Sequence, residues 1–215
     1  MLLCSTMLVC HSRVAVQFQN YAGRQIMPLN HTSIYAELTD SHFKLIGKIV
    51  VEWSNIEFLL GSLLSKLLVT PEFLARSYTD HMSAVKLQEA IKEGVEIHAN
   101  RYGCKLISEQ ELDEITALND RVTRLRAMRN KFAHFCWCRN NDDEIFGTKF
   151  SGGVSNSKKE TRDNITYKVI DLEKFHTEAY KIVDRLSEIV WALPGIEEDG
   201  LIEKLTRHKK ASHVV

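Results

Sequence analysis

Arg129-Asn130-Lys131-Phe132-Ala133-His134, late in the longest helical pattern of the chain, brings together residue types suited to a phosphodiester. An arginine supplies a fixed cation that matches phosphate geometry, and histidine is the side chain that titrates near neutral pH. Cutting RNA without a metal needs three things. One group removes the proton from the ribose 2′-hydroxyl, a cation stabilises the added charge on phosphorus, and a donor protonates the departing 5′-oxygen. His134 suits a proton-transfer role and Arg129 the charge-stabilising role.

The helix that must carry these residues begins at Ser108-Glu109-Gln110-Glu111. There the serine hydroxyl can accept the third amide while the glutamate reaches back to the serine amide. Its apolar line is Leu112, Ile115, Leu118, Val122, Leu125, Met128, Phe132 and Phe135. At about 100° per residue, Arg129 falls roughly 40° from Leu125, inside the apolar sector, and His134 on the far side. A guanidinium on the apolar side needs a partner, and Glu57 and Glu52 are the candidates, Glu57 foremost.

Asn130 and His134 are one turn apart, with Arg126 one turn further back on the same edge. The asparagine oxygen could accept from one ring nitrogen and so fix the tautomer. Arg121, Arg124, Arg126, Arg129 and Lys131 form a basic stretch in a chain of zero formal net charge, which makes any nucleic-acid site local and salt-sensitive. Arg126 and Lys131 are the substrate-binding candidates. One helix does not easily supply every group. Two copies of it facing each other across a two-fold axis would bring two arginines and two histidines to one cleft, so a homodimer through this helix is expected, with RNA as partner.

His134, Cys136 and Cys138 have a spacing that suggests zinc, but on a helix residues two apart point about 200° from each other, and no second ligand pair is near. Neither a metal nor another cofactor is expected, and the two cysteines read as packed thiols. Trp53 and Trp191 fit apolar stripes and read as core, and Trp137 as core or as a base-stacking ring. His42, His81, His98 and His176 stand isolated and read as surface or capping residues, although His98 falls on the apolar side of its helix.

The scaffold is legible from spacing. Residues 41 to 69 repeat apolar side chains every three or four positions, at Phe43, Ile46, Val50, Trp53, Ile56, Leu60, Leu63 and Leu67, and predict a long central helix. Thr70-Pro71-Glu72 offers a cap, a first-turn proline and an acidic first-turn residue for a short helix. Another helix spans about 82 to 100. Residues 144–150 and 165–170 alternate and predict a β-hairpin around Ser151-Gly152-Gly153 and a long polar loop. A last long helix, capped by Asp171, carries Leu172, Phe175, Ala179, Ile182, Leu186, Ile189 and Val190, until Leu193-Pro194-Gly195 stops it. The expected fold is all-α, a four- to five-helix bundle with a β-hairpin insertion before the last long helix. Residues 1–35 read as a poorly ordered or accessory extension, 36–195 as the helical domain, and 196–215 as a tail or short helix. The 215 residues suffice for one core. The five cysteines are odd in number and scattered, which favours a reducing, cytoplasmic setting. The most apolar run, 56–69, contains Glu57 and Lys66 and is too short to span a bilayer.

Arg129-Asn-Lys-Phe-Ala-His134 resembles the R-N-x3-H signature of the HEPN superfamily, the higher-eukaryote and prokaryote nucleotide-binding domains. The resemblance covers roughly residues 41 to 192. It implies a helical bundle that dimerises through the motif helices, and a metal-independent endoribonuclease of toxin–antitoxin, phage-defence or RNA-processing systems, with an antitoxin or other protein partner. On it, Arg129 and His134 would be catalytic, with Asn130 as the adjacent polar residue. Some members have a tyrosine two residues after the histidine as a target for modification; that position is Cys136 here. Many members have no demonstrated activity, so the alternative is a silent dimeric domain that binds RNA, a nucleotide or a protein.

Overall fold

The structure, a computed structural model, describes residues 36–151 and 161–211. The extension expected over residues 1–35, and most of the polar loop between the strands, lie outside the described residues. In chain order the elements are α1 (Asp40–Leu67), α2 (Glu72–Thr79), α3 (Ala84–Asn100), α4 (Glu109–His134), β1 (Cys136–Asn141), β2 (Glu144–Ser151), β3 (Thr161–Lys168), α5 (Val169–Ala192) and α6 (Glu198–Ala211). The chain is mostly helical with a small antiparallel sheet, so it is not strictly all-α. Its described residues divide into two compact units, 36–43 with 135–169 and 44–134 with 170–211.

The second unit holds the helical core. Trp53, Ile56, Leu60, Leu63, Leu64 and Leu67 of α1 meet Leu87 and Ile91 of α3, Leu112, Ile115, Leu118, Val122 and Leu125 of α4, and Ala179, Ile182, Leu186 and Ile189 of α5. Four apolar stripes of helical period thus close on one another, which is where most helical stability comes from. The stripes expected on α4 and α5 are the buried ones except for Met128 and Phe175, which are half-buried, and Phe135, which falls beyond the end of α4; Phe132 is in edge-to-face contact with Phe175 at 6.4 Å between centroids. On α1 the stripe is shifted. Ile49 is buried and Val50 is 42% exposed, because Ile49, Trp53, Ile56 and Leu60 already keep the period.

Local signals set the helix ends. The box at the start of α4 is formed as expected: Glu111 N donates to Ser108 Oγ at 3.3 Å, and Ser108 N donates to Glu111 Oε2 at 2.8 Å. At α2 the expected cap fails. Pro71 takes the N-cap position without a side-chain bond, and the Thr70 hydroxyl donates back to the Leu68 carbonyl instead. Helix α1 ends with Val69 at φ 51°; Val69 N bonds Lys66 O and Thr70 N bonds Ser65 O, each at 3.0 Å. That is a Schellman ending with a β-branched residue in the left-handed position that normally takes glycine.

The first unit carries a three-stranded sheet in the order β1-β2-β3, where a two-stranded hairpin was expected. Strand β1 occupies residues just beyond the apolar line of the motif helix, where no strand is expected and where Cys136 and Cys138 read as packed thiols. It pairs antiparallel with β2, Cys136 opposite Thr148 and Cys138 opposite Phe146. Trp137 stacks on Phe135 and meets Tyr167 at a tilt, each 5.9 Å away between centroids. Its ring covers Gly147 so closely that a Cβ there would stand 2.6 Å from it, a use of strand glycine to admit an aromatic. At the start of α1, Thr39 and His42 make a reciprocal cap: His42 N donates to Thr39 Oγ1 at 3.3 Å and Thr39 N donates to His42 Nδ1 at 3.2 Å.

Two side-chain expectations need correcting. Trp191 is 86% exposed rather than core, because it sits about 200° around α5 from Ile189, on the open side. His98 is buried and is no surface residue: its Nε2 lies 2.7 Å from the Leu67 carbonyl. No helix among the described residues is long and apolar enough to cross a membrane.

Candidate functional site

Helix α4 carries a polar edge of Asn119, Thr123, Arg126, Asn130 and His134, spaced by three or four residues and so aligned along one side of the helix. The upstream half of that edge is bonded to α3. Gln88 Nε2 donates to the Asn119 carbonyl at 2.9 Å and to Thr123 Oγ1 at 2.8 Å, and Arg126 Nη1 donates to Gln88 Oε1 at 2.5 Å. The downstream half is open: Asn130 and His134 are both exposed, His134 as the last residue of α4.

Arg129 is half-buried, as its place near the apolar sector predicts. Its holder is different from the one expected. Among the described residues no ion pair joins it to Glu57, and Glu52 instead accepts from Asn55 Nδ2 at 3.2 Å. The guanidinium carbon lies 5.8 Å from the centroid of the buried Trp53 ring, at the edge of cation–π range. Glu57 and Trp53 are one turn apart on α1, and it is the aromatic that lies under the guanidinium. Arg129 Nη1 also donates, at 3.5 Å, to Asn130 Oδ1. That oxygen was expected to orient His134; among the described residues no hydrogen bond or ion pair reaches the His134 ring.

The other cations of the basic stretch separate into types. Arg121 is bound by Glu178 at 2.9 Å, while Arg124 is exposed and Lys131 half-buried. Arg126 and Arg129 are thus held in place by neutral groups, an amide and a ring. Nothing local in the sequence marks Gln88 or Trp53 as holders, because each comes from another helix.

The zinc spacing also changes meaning. Cys136 and Cys138 lie on a strand, so they share a face, and Cys136 is exposed rather than packed. Among the described residues, no group of three or more His, Cys, Asp and Glu side chains is arranged to hold a metal ion. A groove of about 280 Å³ between α3 and α4 is lined by Ile91, Lys92, Val95, Thr116, Asn119 and Asp120, upstream of the motif. Compared with known proteins, the chain matches no family model, no curated protein and no solved structure.

Proposed function

We propose that the chain is a metal-independent endoribonuclease, working as a homodimer paired through α4. The ribose 2′-hydroxyl, deprotonated by one His134, attacks the adjacent phosphorus. The bond from phosphorus to the 5′-oxygen breaks, a second proton donor protonates that oxygen, and the products are a 2′,3′-cyclic phosphate and a 5′-hydroxyl. Arg129 stabilises the charge that builds on the phosphoryl oxygens, and Arg126 and Lys131 hold the strand. Asn130 bonds Arg129 and so orients the cation.

The observation that carries this reading is electrostatic. Two half-buried arginines on α4 are held by a ring and an amide, with no ion pair to a carboxylate among the described residues, one or two turns from an exposed histidine. A phosphate is the counter-ion such a surface accepts. A cytoplasmic setting suits the exposed free thiols of Cys104 and Cys136. The resemblance of the motif points to a defence, stress or toxin–antitoxin role, with a protein partner that restrains the activity.

A second reading, an inactive domain that binds RNA, a nucleotide or a protein, is favoured by one feature: the His134 ring has no orienting partner among the described residues. The test incubates the purified protein and its His134→Ala variant with mixed RNA in the presence of chelator. The nuclease reading expects fragments ending in 2′,3′-cyclic phosphate from the wild type, and a rate lower by about 10²- to 10⁴-fold in the variant. Equal products from both proteins, or none from either, would leave the binding domain as the better account.

A further inference from the structure

Gln88 reaches the candidate site without belonging to it. It is 5% exposed, and burial penalises an amide unless its polar atoms are bonded. Its orientation follows from its partners. A backbone carbonyl only accepts, so the nitrogen of the amide must face Asn119 O, and it donates there and to Thr123 Oγ1. Oε1 is thereby turned to Arg126, which only donates. Asn119 Nδ2 completes the circuit by donating to the Gln88 backbone carbonyl at 3.0 Å.

The choice of a neutral acceptor has an electrostatic consequence. Arg76 is fixed by Glu72 and Asp80, Arg121 by Glu178, and Arg185 by Glu114 and Glu188. A carboxylate orients a guanidinium and also offsets its charge. An amide oxygen orients it only. Arg126 has no ion pair among the described residues, and the bond to Gln88 engages one of the five N–H donors of a guanidinium. Three residues on, Arg129 rests over Trp53, again with no ion pair among the described residues. Residues three apart are neighbours on a helix surface, so two fixed, uncompensated cations stand side by side on α4.

We infer that Gln88 is a positioning residue, holding Arg126 as an uncompensated cation for a backbone phosphate of bound RNA beside the one served by Arg129 and His134. The inference rests on the RNA-binding half of the function proposed above and not on cleavage.

The test measures affinity for a short fluorescein-labelled single-stranded RNA by anisotropy across a salt series. The parent is the full chain carrying His134→Ala, and Gln88→Met, Arg126→Ala and their double variant are built on it. Methionine keeps the length of the side chain and removes the amide. Gln88→Met and Arg126→Ala should each weaken binding roughly tenfold, as for one lost charge-assisted contact. Each should lower the salt slope by about 0.7. The double variant should bind no more weakly than Arg126→Ala alone, as expected when one residue acts through the other.

Thr123→Val removes one partner of the Gln88 amide at an exposed position. It should weaken binding in the same direction by less, and gives the answer if Gln88→Met fails to fold. Additive losses overturn the inference, as do an unchanged affinity and slope in Thr123→Val and in any folded Gln88→Met. Failure of every protein, parent included, to bind RNA overturns the inference together with the proposed function. Binding by the wild-type chain without cleavage, with the variants as expected, overturns the nuclease alone and upholds the role of Gln88.

Discussion

His42 shows how a single buried residue ties stability to pH. It is fully buried, with Nδ1 accepting from the Thr39 amide. Burial is the largest effect on it and pushes its pKa below the usual histidine value, helped by the nearby Arg139 charge and opposed by Asp142 and Asp143. The folded state therefore disfavours the proton. Stability from the neutral ring is complete above the unfolded pKa of about 6.5, and is lost as pH falls through the lower folded value. The thermal stability of the wild type should fall over that acid window, and His42→Gln should flatten the difference. An unchanged wild-type curve between pH 7 and 5, or the same slope in the variant, would contradict this account. At this scale the sequence revealed the positions of the candidate site better than their environment. Arg126, Arg129, Asn130 and His134 fall on α4 where helical spacing puts them. What holds the arginines was hidden, because Gln88 and Trp53 arrive from α3 and α1 and their contact depends on packing.

Elements are governed by shorter-range physics, and α1 contains one testable strain. Val69 has φ 51° at the helix C-terminus while its side chain is 41% exposed, so it bears the cost of the left-handed region and buries little in return. Val69→Gly should raise stability by roughly 1 kcal/mol, measured by urea unfolding, the relief exceeding the glycine's added chain entropy. A destabilised variant would show that packing of the valine outweighs the strain. The capping box of α4 and the stripes of α4 and α5 were legible in advance because a cap or a 3.6-residue period is written within one helix. Strand β1 was not. Cys-Trp-Cys-Arg-Asn-Asn has no apolar alternation, and its extended form depends on pairing with β2. Its exposed Cys136 shows the same thing, since a residue that reads as packed is open on an edge strand.

For the molecule as a whole, the open side of α4 decides how two copies could meet. Arg124, Ala127, Asn130 and His134 are exposed there, and no large apolar side chain of α4 is exposed beside them. An interface on this face would be polar, with like charges approaching across the two-fold axis, so RNA phosphates would help to hold it. A composite site also has a genetic signature. Arg129→Ala and His134→Ala proteins should each fail to cut RNA in chelator, yet after equal mixing and subunit exchange a mixed dimer keeps one site with both wild-type groups. Half of the dimers would be mixed, and each would keep one of the two Arg129–His134 pairs that face each other across the cleft, so about a quarter of wild-type activity should return. Recovery near that level, with 2′,3′-cyclic phosphate ends, is the predicted result; a mixture as inactive as its parts, beside an active wild type, would contradict a cleft built from twin helices.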